Sequence, residues 1–194
     1  MINNKAKSTD KVFSEVLSGG ASEERVRGGG VFFFECRDKD GNLKWKEESK
    51  NLVVNVGLKD MNDKYFSGSS YTATWYLGLI TGPGSGTTIA AGDTMSSHAG
   101  WTEATAYSQS TRPACTFGAA TTADPSVISN SASVAVFSIN GTVTIAGAFL
   151  TSNNTKSGTT GILFSASDFQ SPGDRAVVSG DTLNVTYQFS LDAA

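Results

Sequence analysis

The clearest hydrophobic pattern lies near the C-terminal end. In "TLNVTYQFSL", Leu183, Val185, Tyr187 and Phe189 alternate with Asn184, Thr186, Gln188 and Ser190. A period of two sends successive side chains to opposite faces, so this run predicts a strand with one face in a core. "YTATWYLGLI", "WTEATAY", "SVAVFSI", "TVTIAGAFLTS" and "GILFSAS" share its wealth of β-branched and aromatic residues. Turn signals such as "INGT", "SPGD" and "VSGD" fall between these runs. Many short strands with this punctuation predict a mainly β protein, an antiparallel β-sandwich or jelly-roll-like body. No clean internal repeat is present.

Helical spacing is confined to the first third of the chain. Val12, Phe13, Val16 and Leu17 form a small stripe, with Asp10 able to cap it and Gly19-Gly20 suited to its end. Two turns are too short to be stable alone, so the stripe needs a surface, its own body or a neighbouring subunit. "ASEERVRGGG" reads as a flexible linker. Residues 1–30 are thus expected to form an extended N-terminal arm with a short amphipathic helix, and residues 31–194 the sandwich body. The body should open with a hairpin, Val31 to Arg37 and Leu43 to Glu47, turning at Asp40-Gly41. One helix is expected from Val54 to Phe66, on a stripe of Leu52, Val53, Val56, Met61 and Phe66 broken by Gly57.

Length and composition narrow the classes. The 194 residues suffice for one domain with a sizeable core and an appended arm. A net charge of -3 gives no general affinity for nucleic acid or acidic membranes. The polar start "MINNKAKSTD" lacks a signal-peptide core, and no run reaches transmembrane length. Residues 1–50 hold ten Lys/Arg and nine Asp/Glu, whereas the remaining 144 hold five and nine. Low charge in the body suits burial between subunits. Cys36 and Cys115 are expected to be buried thiols of a protein made in a reducing cytoplasm.

Candidate chemistry is sparse. "WYLGLITGPGSGTT" has the outline of a phosphate-binding loop, but Gly86 is followed by Thr87-Thr88 rather than Lys-Ser/Thr. "TTIAAGDT" then replaces the helix such a loop needs, so Gly82 to Gly86 read as a turn. A calcium loop starting at Asp38 fails, because Gly41 comes too early and its twelfth residue is Ser49. The single histidine, His98, has Asp93, Ser96 and Ser97 nearby, and Cys115 is a second possible partner. A backbone hydrogen bond within its loop is the simpler role for it than a triad. Metal ligation has little to work with. Carboxylate pairs need no fixed spacing, but Glu103 is the sole glutamate beyond residue 50, and most aspartates there flank turn residues. Trp75, Tyr76, Trp101 and Tyr107 read as core rather than as a sugar platform. No catalytic residue, metal or cofactor is expected.

The run "TWYLGLI…AAGDTMSSHAGWTEATAYSQSTRPA", residues 74–114, resembles a family of small virion proteins of tailed bacteriophages and prophages. Its most specific part is Asp93…Ser97-His98-Ala99-Gly100-Trp101…Glu103. "KWKEESKNLVVNVGL" and "GAFLTSNNTKSGTTGILFSA" are similar too, so the resemblance spans roughly residues 31–190. It implies a structural role in the particle rather than an enzyme. The leading expectation is a capsid decoration or cement protein, located in the virion and assembled in the host bacterial cytoplasm. Its implied partners are the major capsid protein and neighbouring copies of itself, with no nucleic acid, membrane or small-molecule substrate. The partner-binding candidates are Val12, Phe13, Val16, Leu17, Arg25 and Arg27. A tail or head fibre or adaptor protein is the alternative, and a carbohydrate-binding protein the second alternative.

Overall fold

The computed structural model describes residues 26–71, 74–82, 87–170 and 173–193. The chain is mainly β, with 49% of the described residues in strands and 7% helical. The hairpin β1 (Val26–Arg37) and β2 (Leu43–Val53) is followed by helix α1 (Asn55–Tyr65) and β3 (Trp75–Thr81). Next come β4 (Thr102–Ala104), β5 (Ala114–Cys115), β6 (Ser126–Ser129), β7 (Ala135–Ser138), β8 (Val143–Ile145) and β9 (Gly147–Thr151). The chain ends in β10 (Leu163–Asp168), β11 (Arg175–Val177) and β12 (Thr182–Ala193).

Strand β2 explains how one sheet becomes two layers. Its residues up to Lys50 pair with β1, which pairs with β12, which in turn pairs with β6 and β7. Its last three residues, Asn51 to Val53, pair instead with β10. From there the ladder continues through β9 and β3 to β4 and β5. Every pairing in the sheet is antiparallel. Phe32, Phe34 and Cys36 of β1 and Leu183, Val185 and Tyr187 of β12 face Leu77 and Leu79 of β3 and Leu150 of β9 in a common core. The β12 alternation therefore has the face predicted for it. Tyr187 is sealed between the layers, where its hydroxyl accepts from the Asn51 side-chain amide at 2.8 Å and lies 3.2 Å from Ser165 Oγ.

The layers differ on their outer faces. Strands β9 and β10 are buried on both sides. Their outer face is covered by α1 and the segment around residues 87–101, in a second cluster of Val54, Ile80, Met95, Trp101, Phe149 and Leu163. The outer face of β1, β12 and β7 has no such cover among the described residues, so its side chains alternate with buried ones along each strand.

Two expectations need correction. The body does not begin at Val31: β1 starts at Val26, in register with Ala193, so Arg27 belongs to the sheet and pairs with Asp192. Gly28 to Gly30 are strand, not linker. A Cβ at Gly30 would lie 2.6 Å from the Tyr187 hydroxyl, so glycine lets the strand pass against that ring. The helix falls close to its expected bounds, but Leu52 and Val53 of the stripe belong to β2, where they pair with β10, and Phe66 is the exposed C-cap rather than a packed residue. Gly57, which interrupts the stripe, is the helix's buried residue. A Cβ there would stand 2.3 Å from the Phe164 carbonyl oxygen, so glycine allows helix and sheet to touch. The expected arm residues Val12, Phe13, Val16, Leu17 and Arg25 lie outside the described residues.

Candidate interaction surfaces

The residues with the greatest chemical promise turn out to hold the fold. Asp93 accepts two hydrogen bonds on one carboxylate oxygen, from Trp101 Nε1 at 2.9 Å and from the Ala90 amide at 3.0 Å. His98 stacks on the Trp101 indole with ring centres 3.8 Å apart, and its Nδ1–H donates to the Trp101 carbonyl at 3.0 Å. Asp93 thus orients the tryptophan rather than the histidine, and no triad forms. The ring bonds its own loop's backbone, as expected of an isolated histidine.

Glu103 has a similar fate. Arg112 is fully buried and grips it with two parallel bonds, Nε to Oε1 at 2.9 Å and Nη2 to Oε2 at 2.7 Å. Two of the three remaining guanidinium hydrogens reach the Asn153 and Gly158 carbonyls, and the ring of Phe149 lies 5.1 Å from Cζ. The Ser157 amide donates to the second Glu103 oxygen at 2.8 Å. This network ties the loop after β9 to the segment between β4 and β5. Beside it, Lys156 donates to the Tyr107 carbonyl at 2.8 Å and sits over the Tyr107 ring. Burial there lowers the lysine pKa and raises that of the tyrosine hydroxyl.

The other candidates offer little reactivity. Cys36 and Cys115 are free and buried, and burial pushes their thiols up to about 11 and about 12. Such thiols carry almost no thiolate at neutral pH. Asp38 closes the first hairpin by accepting from the Asp40 and Asn42 amides, both at 2.9 Å. The residues that follow β3 at 87–90 are not helical, which removes the support a phosphate loop requires. No group of three or more His, Cys, Asp or Glu gathers among the described residues. Asp168 is the exception in charge: burial, with a smaller push from Asp174, raises it to about 6.

What remains conspicuous is surface. Tyr65 and Phe66 at the end of α1, and Tyr71 in the segment that follows it, are 83%, 78% and 74% exposed, with Leu58 of the helix also out. Tyr65 and Phe66 pack edge to face with centres 4.9 Å apart. On the uncovered outer sheet, Phe33, Val134 and Val136 are 37%, 39% and 42% exposed. Together with Asn184 and Thr186 of β12, which lie between them, they floor a shallow trough of about 780 Å³. Its rim includes Glu48 and the Glu35–Lys46 ion pair at 2.8 Å. A second trough of about 520 Å³ adjoins it at Phe33 and Thr186 and runs towards β6. Arg27 is exposed at one end of β1. The alternation along β1 contained the signal for this face, since Phe33 sits between the inward Phe32 and Phe34. The tip aromatics carried no comparable signal, because Phe66 fits a helical stripe.

No family model, curated protein or solved structure matches this chain. Among the described residues no helix is long and apolar enough to cross a membrane.

Proposed function

We propose that this chain is a structural protein of a tailed-bacteriophage particle, a capsid decoration or cement protein that bridges major capsid subunits. One observation carries the reading. The residues behind the resemblance to small virion proteins, Asp93, His98, Trp101 and Glu103, are all engaged in fastening loops to the sheet. A fold that fixes its most distinctive residues internally and presents apolar surface outward suits contact with other subunits. The chain then works in the virion, after assembly in the host cytoplasm. The tip of Tyr65, Phe66 and Tyr71 serves as the contact with the capsid shell, and the N-terminal stripe of Val12, Phe13, Val16 and Leu17 clasps a neighbour.

Copy number tests this directly. Purified particles are quantified by mass spectrometry for this chain against the major capsid protein. A count comparable to the capsid protein supports cementing. A handful of copies per particle transfers the chain to a tail or head fibre or adaptor, and none removes it from the virion. The tip aromatics also favour a second reading, carbohydrate binding, which now has to rest on them. Trp101 is buried, and Trp75 is half-buried with Phe164 packed edge to face against it, so neither offers a fully open ring. Glycan titration followed at Tyr65 and Tyr71 decides that reading.

A further inference from the structure

We infer that the uncovered outer face of β1, β12 and β7 is the seat for residues 12–17 of a second copy of this chain. The inference rests on the arm-bearing reading above and names the surface that receives the arm.

Three observations lead to it. First, the two layers are treated unequally: α1 and residues 87–101 cover the outside of one, while the outside of the other keeps Phe33, Val134 and Val136 in the open. The trough sets Phe33 on one side and Val134 and Val136 on the other, with the outward Asn184 and Thr186 of β12 between them, so a short amphipathic segment laid across it meets apolar contacts at both edges. Second, the sequence before the described body holds a stripe of matching size. Val12, Phe13, Val16 and Leu17 precede the described body, and the spacing predicts that all four share one helical face. Third, the connection favours exchange between copies. From Val26, Phe33 lies seven residues along β1, about 23 Å, and a docked helix sits about 10 Å above the sheet. That is a straight line of about 25 Å. Leu17 is nine residues before Val26, a reach of about 30 Å at full extension. The chain would also have to reverse direction at Val26, so its own face is within reach only along a taut path. A neighbour's face carries no such constraint.

Four apolar side chains cover on the order of 500 Å², below what holds a stable pair. A single exchange is therefore weak, and reciprocal or lattice-wide exchange strengthens it through effective concentration. This suits a protein that is to link copies only when they are brought together on a shell.

The test uses the full-length chain and needs no particle. Val16→Cys is placed in one preparation and Val136→Cys in another with a different tag. The two are mixed at high concentration and treated with a short thiol cross-linker. The native cysteines stay in place, because both are buried. The expected result is a mixed-tag dimer, at least tenfold more abundant than when Val136→Cys is replaced by Val178→Cys, an exposed position just after β11. The yield should fall as strongly when Phe33→Ser is added to the Val136→Cys chain, with its melting temperature unchanged. A mixed dimer no stronger than the Val178 control overturns the inference. So does cross-linking within one chain that carries both Val16→Cys and Val136→Cys, which would put the arm on its own face. Copy number in particles is read separately, so a cross-link without particle association sinks the virion reading and keeps this interface. Particle association without the cross-link does the reverse.

Discussion

Arg112 and Glu103 meet through two parallel hydrogen bonds in a site that excludes solvent from the guanidinium altogether. Removing one partner leaves a buried charge unmatched, which costs far more than an exposed ion pair contributes. Arg112→Met should destabilise the fold by about 3–5 kcal/mol, read by urea denaturation. The double variant with Glu103→Met should not recover fully. Arg112 also satisfies the Asn153 and Gly158 carbonyls, and Glu103 the Ser157 amide, and these would stay unpaired. Full recovery in the double variant would show that the network matters only for its charges.

Helix α1 touches the sheet where Gly57 faces the Phe164 carbonyl. Gly57→Ala adds a methyl group 2.3 Å from that oxygen, in backbone that has little freedom to move. Elsewhere in a helix this substitution is favourable. Here it should cost about 3 kcal/mol through overpacking, whereas Leu58→Ala on the exposed side should be nearly neutral. Thermal unfolding of the two variants side by side checks both. A Gly57→Ala protein as stable as wild type would mean that the helix does not seat on β10.

Much of this architecture is legible in the residues, and the failures have physical reasons. Leu183, Val185, Tyr187 and Phe189 alternate over a long strand, so both the strand and its buried face follow. β5, β6 and β11 are too short to show a period. They exist because longer neighbours offer them hydrogen bonds. The three glycines at 28–30 suggest a linker locally, and only the rings of Tyr187 and Phe189 across the ladder make them strand. Chemistry follows the same division. His98 and Asp93 are visible as candidates, but which group each one bonds depends on a loop closing over Trp101. The pairing of Glu103 with Arg112 has no signature beyond Glu103 being an isolated glutamate.

Asp168 gives the fold a dependence on pH of a definite sign. Its folded pKa is raised to about 6 from an ordinary value of 3.8, first by burial and then by Asp174. Between those values the folded state binds the proton more tightly than the unfolded chain. Stability therefore falls as pH rises through that window. The melting temperature should be higher at pH 5 than at pH 7. Asp168→Asn should flatten the difference and raise the value at pH 7. A variant with the same pH profile as wild type would assign the dependence to other groups.

The thiols should be silent until the fold opens. Burial holds Cys36 at about 11 and Cys115 at about 12, and neither is paired. A thiol reagent at neutral pH should label fewer than about one in ten chains in native buffer and both sites in denaturant. Because labelling then waits for opening, its rate in mild urea reports local stability. Cys36 lies on β1 and Cys115 on the short β5 at the far end of the ladder, so Cys115 should label first as denaturant rises. Prompt labelling of Cys36 in native buffer would mean that β1 and β12 separate far more readily than their full-length pairing suggests.

The aromatic tip separates binding from folding. Tyr65, Phe66 and Tyr71 are mostly exposed, so replacing all three with serine removes little buried surface. The melting temperature should change by no more than about 3 °C. Their exposed area nevertheless makes them the best anchors on the molecule for a partner, since aromatic residues dominate well-buried contacts. If the tip faces the capsid shell, the triple variant should bind particles at least tenfold more weakly in a co-sedimentation assay. Undiminished binding with an intact fold would move the shell contact to another face, with the trough around Phe33 and Val136 next to be tested.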